Sequence, residues 1–162
     1  MGCGFLQGKE GDFVLLIRLI CVYIATTCFA IVFNAPKKQL LFCGLAGLFG
    51  WTAYEIASIY LDSGAVITFI STIAVTTLSR RLTFVRKQPI SVYLISGIIP
   101  LVPGSLVYYT VYNMISGEVS KAVFTGIETL KISGAIALGI MVVLALPYKA
   151  FNRVVLSMNR RR

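Results

Sequence analysis

Histidine is absent from the 162 residues, acids number only six, and the four cysteines contain no CxxC pair. Each shortage excludes a class of chemistry. Without histidine the commonest general base and metal ligand is missing. No cluster has metal-ligand spacing, and no nucleophile stands beside a base. An enzyme, a metal and a cofactor are therefore not expected. Cys21 and Cys28 share a helix face but lie about 10 Å apart at 1.5 Å rise per residue, too far for one disulfide or one metal. With Cys3 and Cys43 they read as small buried hydrophobes. No Ser/Pro-rich linker or charge block marks a second domain, so residues 1–162 are expected to form a single integral membrane domain.

What is present is apolar. Hydrophobic residues make up 57% of the chain and mean hydropathy is +0.86, too high for a soluble globular domain. The runs predict an all-α, polytopic membrane protein of five spans, near 13–33, 40–61, 65–85, 90–115 and 127–146. The first run leads into Asn34-Ala35-Pro36 and not into a cleavage site, so it is expected to be retained. Leu61-Asp62-Ser63-Gly64 reads as a tight hairpin with glycine supplying the turn conformation. The third span is the least secure, because only 14 apolar-compatible residues (65–78) precede Arg80 and Arg81. Residues 116–129, with mixed charges and apolar residues, read as an interfacial turn before the fifth span.

The fourth run carries Ile99-Pro100-Leu101-Val102-Pro103-Gly104 at its middle. Two prolines remove amide donors and clash with the preceding turn, so the helix breaks between Pro100 and Gly104. A break at bilayer depth survives only where protein or a wet cavity satisfies the freed backbone. Restarting after Pro103-Gly104 leaves the amides of Ser105, Leu106 and Val107 without intrahelical partners, a place that suits a carboxylate, with Ser105 or Tyr108 offering a hydroxyl. The alternative is a packing kink.

Three other features invite two readings each. Thr68, Thr72 and Thr76 recur every four residues, with Ser79 continuing the stripe; they serve either helix-helix hydrogen bonding or a polar path. Glu55, well inside the second span, either couples to protons or reaches the interface or a partner group. Arg18 either snorkels or acts as a counter-charge. Cys43, Ala46, Gly47, Gly50, Ala53 and Ala57 form a small-residue strip that admits another backbone, expected to matter for assembly.

Charge segregates. With five spans, 11 of the 15 Lys/Arg fall on one side (Lys37, Lys38, the 80–87 loop and the C-terminal tail), whereas every acid except Glu55 falls on the other. The positive-inside rule then predicts a cytoplasmic C-terminus and an outside N-terminus. The same segregation makes a nucleic-acid partner unexpected.

Pro100-Leu101-Val102-Pro103-Gly104 followed by Tyr108, with Phe33-Asn34-Ala35-Pro36-Lys37-Lys38 and the glycines Gly44, Gly47 and Gly50 upstream, resembles the small subunit of the threonine/serine exporter family over about 13–147. That resemblance implies a secondary transporter in a plasma membrane, the bacterial cytoplasmic membrane being the expected one. It implies export of small carboxylates (threonine and serine, or a dicarboxylate such as succinate), driven by protons. It also implies a larger partner subunit with five spans and a soluble N-terminal domain. A structural or assembly subunit, or a channel, is the alternative, since kinks and small-residue strips occur in bundles that transport nothing.

Overall fold

The computed structural model describes residues 9–146; Cys3 and the basic tail with Lys149, Arg153 and Arg160 to Arg162 lie outside the described residues. Six α-helices make up the described part: α1 (Lys9–Val32), α2 (Leu40–Tyr60), α3 (Gly64–Arg86), α4 (Ile90–Ile98), α5 (Gly104–Ile115) and α6 (Val119–Ala145). α4 and α5 form one bent pair, which with the four long apolar helices gives four to five candidate membrane spans.

Local chemistry explains the ends. α1 stops in a Schellman arrangement: Asn34 adopts φ 56° and its amide bonds to Ile31 O at 2.9 Å, while the Ala35 amide bonds to Ala30 O at 2.9 Å. Asparagine tolerates that left-handed conformation, and Pro36 behind it prevents further helix. A 3-10 turn, Lys37–Gln39, leads into α2. The second hairpin differs from expectation. Leu61 to Ser63 make the turn, and Gly64 is the first residue of α3 without a positive φ.

α2 lies against α1, α3 and α4; α3 packs in turn on α4 and α6; α5 rests chiefly on α6. The close approaches follow the small-residue strip. Cys43, Gly44, Ala46, Gly47, Gly50 and Ala57 are all buried. A Cβ on Gly47 would run into Thr26 of α1, and one on Gly50 into Val75 of α3. A Cβ on Gly97 of α4 would lie 2.8 Å from Val75 and 3.3 Å from Ala46. The strip therefore packs the chain against itself, and its expected role in assembly with another subunit is already occupied by α1, α3 and α4. On the far side of α3, Gly139 brings α6 in, its position meeting Thr72 at 3.0 Å and the Phe69 carbonyl at 3.2 Å.

α3, the weakest expected span, is a continuous 23-residue helix with seven buried residues. α6 begins at Val119, not near 127, so most of the expected 116–129 turn is helical. The reason is local: Lys121 pairs with Glu118 one turn away, Ala122 is buried, and the Thr125 hydroxyl donates to Lys121 O at 2.9 Å. Lys131 and Glu128 pair at 2.8 Å one turn further on.

At the other end of α6, Arg80 of α3 donates to Val143 O at 2.6 Å and to Leu146 O at 2.7 Å. Those carbonyls are the helix-terminal acceptors that have no intrahelical donor, and the guanidinium brings positive charge to the negative end of the dipole. The contact also ties the end of α6 to the C-terminal part of α3. On the same end, Arg86 lies 3.9 Å over the Phe42 ring, and buried Tyr93 of α4 donates to Gln39 Oε1 at 2.8 Å.

Candidate functional site

The broken span interrupts regular helical bonding between α4 and α5. α4 passes into a 3-10 turn, Ile99–Leu101, and α5 restarts at Gly104 with the two limbs bent by 52°. Proline accounts for the geometry. Pro100 cannot donate to the carbonyl one turn back, and at Pro103 the Ile99 carbonyl instead accepts the Val102 amide at 3.2 Å. The Gly104 amide folds back onto Val102 O at 2.8 Å. The 3-10 turn packs against α1, α2 and α3, with Leu101 buried, whereas α5 buries no residue.

The restart differs by one position from the sequence expectation. The Val107 amide donates to Pro103 O at 3.1 Å, the first regular bond of α5, so Val107 offers nothing to a ligand. Pro103 is the N-cap and carries no capping side chain, which leaves the amides of Ser105 and Leu106 as the first-turn donors without a capping partner. A Cβ on Gly104 would meet nothing within 4 Å, so the space beside that residue is open. Ser105 is exposed, and Tyr108, 63% exposed, stacks on Tyr112 at 6.2 Å and meets Tyr109 edge-on at 5.6 Å.

The hydroxyl stripe is buried and its donors are used locally. Thr68, Thr72 and Thr76 donate to Gly64 O, Thr68 O and Thr72 O at 2.7 to 2.8 Å, each one turn back along α3. None of these three bonds crosses to another helix; their side chains act as compact packing surface, and their oxygens keep lone pairs that accept. Ser79 is the exception, since its buried Oγ has no hydrogen-bond partner.

Sequence reasoning treated Arg18 and Glu55 separately; the structure brings them together, with Nη1 and Oε1 3.7 Å apart between α1 and α2. The antiparallel packing that sets Thr26 against Gly47 carries the two charges to the same level two turns away. The signal was in the numbers: 26 with 47 and 18 with 55 share one register, a match visible only once one contact is known. Cys21, Cys28 and Cys43 are free, and among the described residues no group of three or more Cys, Asp or Glu side chains is arranged to hold a metal.

Four to five candidate spans, one of them a pair bent between two prolines, define a polytopic helical membrane protein. The family model described as "Threonine/Serine exporter, ThrE" matches residues 18–146, and the chain belongs to that family, a family of membrane transporters. No curated protein and no solved structure matches the chain.

Proposed function

We propose that this chain is the second membrane unit of a proton-driven exporter of small carboxylates, working beside a larger five-span partner with a soluble N-terminal domain. Substrate carboxylate is received at the break: Pro100 and Pro103 hold it open, Gly104 leaves access, the Ser105 and Leu106 amides donate, and Ser105 or Tyr108 supplies a hydroxyl. The observation that carries this reading is the uncapped start of α5, two amides without a capping partner beside an unobstructed glycine at a 52° bend. Aligned peptide dipoles add a partial charge of about +0.5 there, which attracts an anion.

Thr68, Thr72 and Thr76 then line the path as acceptors, and Glu55 takes part in proton coupling. Positive-inside charge supports a plasma-membrane orientation, in bacteria the cytoplasmic membrane, with the N-terminus outside and the C-terminus cytoplasmic. A second reading, a structural or assembly subunit, is favoured by one observation: the hydroxyls of the stripe already donate to their own helix.

The test is Gly104→Leu. Its position has a normal φ and no neighbour within 4 Å, so the variant is expected to insert and assemble. Efflux of labelled threonine, serine and succinate from loaded cells is expected to fall about tenfold or more, equivalent to about 1.4 kcal/mol. Wild-type efflux of every substrate in an assembled variant would reduce the break to a kink.

A further inference from the structure

A groove opens at the end of the molecule where α1 stops and α4 starts. Phe33, Asn34 and Ala35 form one wall and Ser91, Val92 and Ile95 the other, around a cavity of ≈ 140 Å³, well above the about 15 Å³ that admits one water. Its lining is graded with depth. Asn34 and Ser91 stand at the helix ends, both exposed, and neither side chain hydrogen-bonds to a described residue. Ile95, 45% exposed, lies about 7.5 Å further in by helix rise from Ile90. The groove is polar at its mouth and apolar below it.

Cations surround that mouth. Lys37 follows Ala35 by two residues and Lys87 precedes Ser91 by four, so chain reach alone keeps their Cα atoms within about 7 and 14 Å of the groove walls. Lys38 and Arg86 each stand one residue further along. Arg86 is held in a second way: it lies over Phe42, which packs with Ala35 and Val92 on the core cluster of Ala30, Cys43 and Tyr93. Lys37, Lys38 and Lys87 are exposed, and the ion pairs of the described residues, Arg18–Glu55, Lys121–Glu118 and Lys131–Glu128, include none of them. No acid of the described residues is near enough to neutralise them. Glu55 is about 22 Å from Leu40 by helix rise, more than two screening lengths of about 8 Å. Glu10 and Asp12 belong to the start of α1, Asp62 to the turn after α2, and Glu118 and Glu128 to the first half of α6, all toward the opposite end.

We infer that this groove holds one anionic phospholipid, its phosphate between Asn34, Ser91 and the lysines Lys37, Lys38 and Lys87, and an acyl chain along Phe33, Val92 and Ile95. The inference is independent of the exporter reading. The phosphate only accepts hydrogen bonds, and the lysine ammonium groups, the Asn34 amide and the Ser91 hydroxyl can all donate. Charge selects the headgroup: a zwitterionic lipid brings its own cation into a ring of cations, whereas an anionic lipid supplies the negative charge that this end lacks. The apolar floor selects against other anions. A free phosphate gains nothing from Phe33, Val92 and Ile95, and an acidic peptide at that depth would leave backbone groups unsatisfied. Diffuse attraction to an anionic surface needs the lysines alone; a built site needs the groove as well.

Native mass spectrometry of the full chain in detergent, titrated with dioleoyl phosphatidylglycerol or dioleoyl phosphatidylcholine, tests this. The wild type is expected to bind a first phosphatidylglycerol about tenfold or more tighter than phosphatidylcholine, and glycerol 3-phosphate in large excess is expected not to displace it. These two comparisons need no variant to fold. Equal binding of the two lipids overturns the inference, and displacement by glycerol 3-phosphate overturns it in favour of a site for the phosphate alone. Ser91→Phe fills the groove at an exposed position and keeps every charge, so the first phosphatidylglycerol is expected to weaken about tenfold. The triple variant Lys37→Gln, Lys38→Gln, Lys87→Asn keeps the groove, with asparagine suited to the φ of 54° at position 87, and is expected to bind both lipids alike. Thermal unfolding confirms that each variant is folded. Undiminished phosphatidylglycerol binding in folded Ser91→Phe reduces the effect to diffuse attraction and overturns the site, and a preference that persists in the folded triple variant overturns the role of the lysines.

Discussion

α1 and α3 invert the rule that holds in water. The span in α1 has a mean hydropathy of 2.3 and only 11% of it is buried, while α3, at 1.2, is 39% buried. In a soluble protein the more apolar helix would be the inner one. Lipid tails are as apolar as leucine, so burying an isoleucine of α1 against another helix gains little, and Ile17, Ile20 and Ile24 stay outside. The inner helix is the one whose side chains are short enough to let backbones approach and polar enough to lose by facing lipid. Thr68, Ser71, Thr72, Thr76 and Ser79 meet both conditions.

The comparison is most easily broken where α3 meets a glycine. Gly50→Leu forces four carbons into the space of Val75, and over-packing of this kind costs about 3 kcal/mol, enough to lose most folded protein in detergent, read by thermal unfolding followed by size exclusion. A well-folded Gly50→Leu would show that α2 and α3 are not locked together. Arg80→Gln comes next. It removes two charge-assisted bonds to the last turn of α6, expected to cost about 2 kcal/mol and to loosen the end of α6 in hydrogen exchange.

A smaller effect sharpens the account of the stripe. Thr72→Val keeps the branched shape against Gly139 and loses only a bond to its own helix, so stability should change by less than about 1 kcal/mol. If Thr72→Val is stable yet efflux falls tenfold, the oxygen serves the path and not the packing. At the far end of the scale, Leu16→Ala on α1 should shift unfolding by less than about 0.5 kcal/mol, since Leu16 is 57% exposed. A loss like that of a core leucine would mean that α1 is covered by a partner helix.

Much of the architecture was legible because single residues carry it. Pro100, Pro103 and Gly104 break a helix wherever they stand, and Asn34-Ala35-Pro36 ends one. The start of α6 is not legible in the sequence, because Glu118, Lys121 and their neighbours read as an interfacial turn until their one-turn pairing is seen. The Val107 amide differs from expectation because the N-cap is Pro103, which leaves Ser105 and Leu106 as the uncapped donors.

Sequence alone determined the apolar runs and the interruption of the fourth, since each depends on residues adjacent in the chain. Only the tertiary structure decided that Arg18 meets Glu55, that Arg80 caps α6 and that the small-residue strip is spent within the chain. Those contacts depend on the rotation and register of one helix against another. Helix rotation is set by many weak steric contacts at once, and no short stretch of sequence carries that sum.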